Sequence, residues 1–530
     1  MAILRLDYNY WNQVNHLGPR SGRTEKELYE SVVMRNNEGI YWQDCTLQNA
    51  GYSYDYFSPN ILEDPDVVCE NKQIQPDGPG YQAVVIYQED FPLGAAERLL
   101  AQARLGLPVI FANGITEAVQ SNIEKTHAKA AISTPYFDGK DDKLVAVVAE
   151  MKNLPNVREI NNPADIVKAL KELGVSPRAG FDQPNKKVFT LLREEDRWHY
   201  LYVYHYMYTE KESFTTTVKV EGEGVPYTID CRTGDVTPLG VFEVKDGFTR
   251  IPVTIEPGEA LMFAIDKQAS PGLHCVDASG GFVDKSDSGL IFWTTKNGLH
   301  TVALSDGSSR VLDVTCRQDI PLPLWNLIVE SWTEGERKEI REDRGLGYTS
   351  KEIYYETAKE KINVGQTTLI PWKDIDVVGA AVSGLGFYET SFTLPIDWSN
   401  DEGVILEFDE VPENGMLILI NDMKVASFNP QKRFVDISDY VKAGENTICI
   451  EVASTLSNRL LAAGYYNESG KKSDKLLVVA LGINDEILEA LGIPADMEIQ
   501  YLSLLNITPP VQDYGLIGEV RLKFYKRVMI

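Results

Sequence analysis

Residues 198–208 read WHYLYVYHYMY, and so long an alternation holds the chain extended, because successive strand residues point to opposite faces. Trp198, Tyr200, Tyr202, Tyr204, Tyr206 and Tyr208 share one face, and His199, Leu201, Val203, His205 and Met207 share the other. One reading makes this a core strand with its aromatics buried against a second sheet. The other makes the aromatics a platform. Flat π-faces stack on sugar rings or polyketide-like ligands, and tyrosines keep a hydroxyl to orient them.

The flanking sequence agrees with a β-rich setting. From about Lys186 to Arg317, short strand-like runs alternate with turns at Glu223-Gly224, Thr233-Gly234, Asp246-Gly247, Pro257-Gly258, Asn297-Gly298 and Asp306-Gly307. That spacing predicts a β-sandwich over 185–320. Residues 1–184 mix both periods. Gly39–Gln43 and Ala83–Tyr87 read as strands. Leu93, Ala96, Leu99, Leu100 and Ala103 line one helical face, and Val109–Ala112 reads as the next strand. A strand at Leu144–Val148 and a helix at Ala164–Leu173 extend a doubly wound, Rossmann-like α/β domain. It has no GxGxxG and no P-loop, so no nucleotide site is predicted. Beyond the hinge Pro321-Leu-Pro323, a polar stretch at Glu334–Thr349 reads as a linker or exposed loop. Strands near 386–395, 404–408, 416–420, 447–452 and 518–525 then predict a C-terminal jelly roll over 321–530.

With 530 residues, 43% hydrophobic, the chain has enough apolar surface for several cores. Its formal net charge of −27 repels a phosphate backbone, which excludes nucleic acid as a partner. No stretch reaches about 18 apolar residues, so no membrane span is predicted. Arg5, Asp7 and Asn9 interrupt any signal-like run. This reads as a cytoplasmic protein, or a secreted one if an export signal was trimmed. Cys45, Cys69, Cys231, Cys275, Cys316 and Cys449 are far apart and read as buried thiols. The six histidines lack metal-ligand spacing, so neither metal nor cofactor is expected.

Several segments resemble glycoside hydrolase family 106, the large α-L-rhamnosidases. Ala50-Gly-Tyr-Ser-Tyr-Asp-Tyr-Phe-Ser-Pro59 is similar to the AGYSYDYLSP segment that follows the barrel in that family. Tyr227-Thr-Ile-Asp-Cys-Arg-Thr-Gly-Asp-Val236 is similar to its D-P-x-T-G-E hairpin, with Cys231 in place of proline. Gly386–Pro395 resembles the opening strand of its galactose-binding-like jelly roll. Ser454–Arg459 resembles its T-L-x-N-R-L strand end, and Tyr514–Arg527 its terminal YGLLGPVRL strand. The resemblance implies that the catalytic carboxylates and calcium lie on an upstream (β/α)₈ barrel. Such a barrel needs about 250 residues. Only 49 precede Ala50 here, so the chain resembles the C-terminal half alone, and rhamnosidase activity by the family mechanism is not expected of it.

Two catalytic candidates remain. His205, among tyrosines and downstream of Glu194 and Glu195, is a candidate general base. Asp55 is either a turn-capping carboxylate or the acid–base group of a new pocket. Tyr52, Tyr54 and Tyr56 around it, with Trp198, Tyr200, Tyr202, Tyr204 and Tyr206, are the candidate ligand-binding residues. The expected ligand is a carbohydrate or other small molecule, and the expected protein partners are a second copy or a separate barrel-bearing chain. Three functions fit: a barrel-less rhamnosidase relative that binds a glycoside; a repurposed biosynthetic cyclase, isomerase or lyase; and a non-catalytic scaffold.

Overall fold

The computed structural model describes residues 1–4, 46–120, 123–207, 210–286, 289–343, 349–399, 401–412, 415–426, 428–464 and 510–530. The strand expected at Gly39–Gln43 lies outside them. The described chain divides into two compact units, Met1–Asp277 with Ala303–Ser308, and Ala278–Val302 with Ser309–Ile530.

The first unit opens with an α/β layer built from β1 (Ala2–Leu4), α1 (Thr46–Asn49), β2 (Asp55–Phe57), β3 (Val84–Ile86), α2 (Leu93–Arg104), β4 (Val109–Ala112), α3 (Asp141–Lys152), β5 (Val157–Ile160) and α4 (Ile166–Glu172). Its strands are all parallel, in the order β2-β1-β3-β4-β5. Both faces are covered, so the central strands β1, β3 and β4 read as unbroken apolar runs. Leu4, Val84, Ile86, Val109 and Phe111 pack with Leu99 of α2 and Leu144 of α3. Ile3, Val85, Ile110 and Ala112 pack with Ile166 and Leu170 of α4 on the other side. Each such side chain contributes about 1.5–3 kcal/mol on burial.

Leu144–Val148 is helical, not a strand. The run Leu-Val-Ala-Val-Val suits both periods. Leu144, Val148 and Met151 are the buried positions, and their spacing is that of one helical face. Asp141 and Asp142 stand in the first turn, where the helix dipole favours acids.

Two antiparallel sheets follow. Their strands are β6 (Ala179–Phe181), β7 (Val188–Glu194), β8 (Trp198–His205), β9 (Phe214–Glu221), β10 (Val225–Ile229), β11 (Val236–Pro238), β12 (Glu243–Lys245), β13 (Phe248–Ile255) and β14 (Ala260–Asp266). The orders are β6-β9-β13-β12 and β7-β8-β14-β10-β11. Leu201, Val203, Phe263 and Ile265 from one sheet meet Val218, Val220, Ile251 and Val253 from the other.

The second unit contains β15 (Phe282–Ser286), β16 (Gly289–Thr294), β17 (Trp325–Asp343), β18 (Thr349–Thr367), β19 (Gly384–Leu394), β20 (Glu402–Phe408), β21 (Met416–Ile420), β22 (Met423–Lys424), β23 (Phe434–Asp436), β24 (Gly444–Ala453) and β25 (Val520–Met529). One sheet runs β18-β17-β19-β24-β21-β22, the other β15-β16-β25-β20-β23. Their facing sides enclose Trp325, Leu327, Tyr388, Ile418 and Ile450 against Val404, Leu406, Val435, Leu522 and Phe524. β15 and β16 lie inside the span expected for the first sandwich, but β16 pairs with the C-terminal strand and β15 pairs with β16: Ile291 opposes Met529 and Trp293 opposes Arg527.

The supposed linker at Glu334–Thr349 is mostly a β-ribbon. β17 and β18 pair from Trp325↔Thr367 to Asp343↔Thr349, with irregularities between Leu327/Ile328 and Glu334/Arg337. β17 pairs with β19 over Asn326–Ser331, and Trp332 N–H still donates to the Ser383 carbonyl at 2.8 Å; beyond that, among the described residues, the ribbon's two strands pair only with each other. An unburied ribbon needs no apolar alternation, which is why its sequence looks like a loop.

The chain is a multi-domain protein dominated by β-structure. Among the described residues, no helix is long and apolar enough to cross a membrane. The five described cysteines are free, and Cys231 is exposed rather than buried because it occupies the turn between β10 and β11.

Candidate functional site

Gly51 is where the tyrosine-rich turn meets the first sandwich. Its φ of +86° is in the left-handed region, and a Cβ there would overlap the Cα of Gly180 in β6. The two backbones therefore touch, and the turn after α1 is held against the sandwich. Further bonds reinforce the seam. Asn185 N–H donates to the Asn49 carbonyl at 3.0 Å, and Tyr206 Oη donates to Asn49 Oδ1 at 3.3 Å.

This seam leaves a small open cleft. Residues 51–55 form one wall, Ser176–Ala179 the base, and Leu191 with Arg193 of β7 the opposite wall. Tyr81 bridges toward them. Its hydroxyl donates to Asp55 Oδ2 at 3.0 Å. Burial and the neighbouring Asp55 carboxylate push the Tyr81 phenol up to about 12, with Arg193 pulling the other way. Among the described residues, Arg193 makes no ion pair. A cationic fork, a carboxylate and a phenol thus share one wet cleft. The cleft opens at the N-terminal ends of β1, β2 and β3. Open α/β sheets usually bind ligands at the opposite, C-terminal ends. Here the neighbouring sandwich creates the concavity.

The other turn tyrosines hold the wall in place. Tyr52 is buried and donates to the Val175 carbonyl at 2.8 Å; burial pushes its phenol up to about 12. Tyr54 Oη accepts from Gln48 Nε2 at 2.8 Å. The ring of Tyr54 meets Tyr56 edge-on at 5.4 Å, and both pack on the core around Ile3 and Val85.

β8 settles which of its faces is buried. Leu201 and Val203 point into the sandwich, while Trp198, Tyr200, Tyr202 and Tyr204 point out and stay half-buried. Register places Arg193, Leu191 and Phe189 of β7 directly beside Tyr200, Tyr202 and Tyr204. Ala264, Met262 and Ala260 of β14 flank them on the other side. Leu191 and Arg193 also line the cleft, so the tyrosine face runs continuously into it. Tyr206 leaves this face beyond the strand end, where it is buried and stacks on Phe189 with ring centroids 3.9 Å apart. Tyr208 lies outside the described residues.

His205 goes elsewhere. It is fully buried, edge-on to Phe214 at 6.3 Å, and neither ring nitrogen finds a hydrogen-bond partner among the described residues. It does not line the cleft with Asp55. Burial holds its pKa below the ordinary histidine value, Lys187 acts in the same direction, and Glu210 and Glu259 oppose it. The unfolded chain therefore binds a proton that the folded chain resists. Stability should fall as pH drops through about 6.5. Replacing His205 by leucine should remove that part of the slope and raise stability at pH 7 by about 1 kcal/mol, since an unbonded polar group leaves the core. Urea midpoints at pH 7.5 and 5.5 test this, and an unchanged difference in the variant would count against it.

His199 is the other buried imidazole of β8. Its Nε2 lies 3.0 Å from Glu194 Oε1, which also accepts from Lys267 at 2.7 Å. Arg178 completes the cluster. Burial works upward on the Glu194 carboxyl, but Lys267, His199 and Arg178 outweigh it and hold the pKa at about 2. Glu194 is thereby an ion-pair anchor behind the cleft wall, unsuited to donating a proton. Among the described residues, no group of three or more His, Cys, Asp or Glu is placed to hold a metal ion.

Tyr81 and Arg193 are not singled out by the sequence. The alternation of Phe189, Leu191 and Arg193 opposite the inward Val188 would have nominated Arg193 once the outward face of β8 was known. Tyr81 carries no such local signal.

No protein-family profile matches the chain, and no curated protein sequence does. Among solved structures, the β-glucuronidase of Ruminococcus gnavus aligns with 27% of this chain and 22% of its own, at 19% identity and a TM-score of 0.17, too little to bear on the fold. The rhamnosidase of Novosphingobium sp. PP1Y aligns with 90% of this chain at 16% identity and a TM-score of 0.52. This chain covers 36% of that one. Its fold is therefore that of part of a rhamnosidase structure.

Proposed function

We propose that this chain is a glycoside-hydrolase-related protein that binds a saccharide in the cleft between its α/β layer and its first sandwich. The observation that carries the reading is the meeting of Asp55, Tyr81 and Arg193 beside a continuous outward tyrosine face, on a fold shared with part of a rhamnosidase. Sugar rings offer apolar C–H faces to aromatic rings and hydroxyls to charged donors and acceptors. We read the chain as related to the C-terminal part of family 106 enzymes. On that reading, 1–184 is a Rossmann-like domain and 321–530 a galactose-binding-like jelly roll. Hydrolysis normally takes two carboxyl groups on either side of the bond. Asp55 is the only carboxylate among the described residues lining this cleft, so the function proposed is binding.

Calorimetric titration with L-rhamnose and α-L-rhamnosides tests the proposal. The wild-type chain should release heat. Arg193→Ala and Asp55→Asn should each weaken binding about ten- to a hundredfold, the usual cost of removing one charged hydrogen-bond partner. Binding of a flat aromatic metabolite on the tyrosine face, with every sugar silent, would overturn the saccharide reading. It would favour a repurposed biosynthetic enzyme.

A further inference from the structure

The outward face of the β15-β16-β25-β20-β23 sheet changes character along its length. At one end it is an ordinary ion-pair ladder: Lys523 meets Glu407 at 2.7 Å, and Arg521 meets Asp409 at 2.9 Å. Such exposed pairs contribute little and suit a solvated surface. Further along, the ladder gives way to aromatic rings. Gly403 of β20 opposes Tyr525 of β25, and the tyrosine ring occupies the space where a Cβ of Gly403 would stand. The ring is buried in that position. Its hydroxyl donates to Asp436 Oδ2 at 2.5 Å and accepts from Arg527 Nη2 at 2.6 Å. Ser438 Oγ donates to the other Asp436 oxygen at 2.5 Å. The Arg527 guanidinium lies 5.1 Å over the Tyr525 ring.

Above this support stand two more rings. Trp293 lies 5.0 Å from Tyr525. Phe282, its cross-strand partner, stacks on it with centroids 4.4 Å apart and planes 23° from parallel. Asp284 follows on the same face of β15 and accepts from the Trp293 indole. Phe282 nonetheless keeps 56% of its surface in water. An aromatic pair serving only the fold would be expected to hide its outer ring. Here the outer ring is presented beside a guanidinium and two carboxylates that a buried tyrosine and its neighbours hold in place.

We propose that this sheet face is a second saccharide-binding site, one that takes a neutral sugar ring stacked on Phe282 with its hydroxyls bonded to Arg527, Asp284 and Asp436. Vicinal hydroxyls match a carboxylate or a guanidinium fork in two-point bonding. Two carboxylates against one guanidinium leave the site net negative, so uronic and sulfated sugars are disfavoured. Tyr525 fixes Arg527 and Asp436 beforehand, which lowers the ordering cost of binding. All of these residues lie in the second structural unit, and the site does not depend on the cleft reading.

The test is calorimetric titration of the full chain with L-rhamnose, D-galactose and D-galacturonate, in wild type, Arg193→Ala, Phe282→Ala and Asp284→Asn. Phe282 and Asp284 are exposed, and unchanged melting of their variants checks that the fold is intact. The expected result is that Arg193→Ala weakens one of two neutral-sugar sites and leaves the other, that the binding left in Arg193→Ala weakens at least tenfold when Phe282→Ala or Asp284→Asn is added to it, and that it is at least tenfold weaker for galacturonate than for galactose. Neutral-sugar binding unaffected by Phe282→Ala, or no sugar binding left in Arg193→Ala, overturns the proposal. Sugar binding lost in Phe282→Ala but untouched in Arg193→Ala would instead remove the cleft reading and leave this one standing.

Discussion

Gly51→Ala should destabilise the first structural unit by about 3 kcal/mol and weaken ligand binding in the cleft. Two separate costs add. A side chain at φ +86° carries about 1–2 kcal/mol of backbone strain. The new methyl also has to displace the Cα of Gly180, which is backbone and cannot rotate away. Gly174→Ala separates the two. Gly174 has a similar φ of +74° but nothing within 4 Å of its Cβ position, so that variant should cost only the strain. Urea denaturation of both variants measures the difference. Equal losses would mean that the backbone contact at Gly51 contributes nothing.

The second large effect belongs to Trp372. It is 1% exposed and packs in the core between the two sheets of the second unit. Its indole donates to Tyr388 Oη at 2.7 Å, and that oxygen also accepts from Leu516 N–H at 3.1 Å. The Trp372 N–H in turn donates to the Tyr514 carbonyl at 2.8 Å. One ring thus ties the central strand β19 to the segment leading into the C-terminal strand. Trp372→Ala should cost about 3–5 kcal/mol, as expected for emptying so large a buried volume. Trp372→Phe should cost less, about 1–2 kcal/mol, chiefly through the lost bond to Tyr388. Calorimetry should show this loss while the Gly51 variant leaves the second unit's transition unchanged. A small effect of Trp372→Ala would show that the core closes around the gap.

Periodicity made much of the fold legible. Leu93–Arg104 carries its apolar residues at helical spacing and is a helix as expected. Val109–Ala112 is a strand as expected. Where two periods coincide, as in Leu144–Val148, only the partner surface decides. Where a strand has no core to face, as in 334–343, the apolar signal vanishes altogether. The alternation of β8 was plain, but its inward face was not, since both faces carry large side chains. The inward face was fixed by Phe263, Ile265, Val218 and Ile251 on other strands. The cleft was least legible. Asp55 and its tyrosines stand in one motif, yet Tyr81 and Arg193 join them from two other elements.

The β17–β18 ribbon has a consequence for the protein's behaviour in bulk. Past Trp332, no further strand among the described residues pairs with its outer edges, and an unpaired edge is the usual starting point for fibrous association. Its composition works against that. Glu334, Glu336, Arg337, Lys338, Glu339, Arg341, Glu342 and Asp343 leave hardly an uncharged step along β17, and Glu356 and Lys359 stand on the paired part of β18. A second ribbon approaching edge to edge would have to strip water from these groups, and in most registers would set like charges against each other. The solubility of a concentrated solution is thus written in part into the element that contributes least to either core.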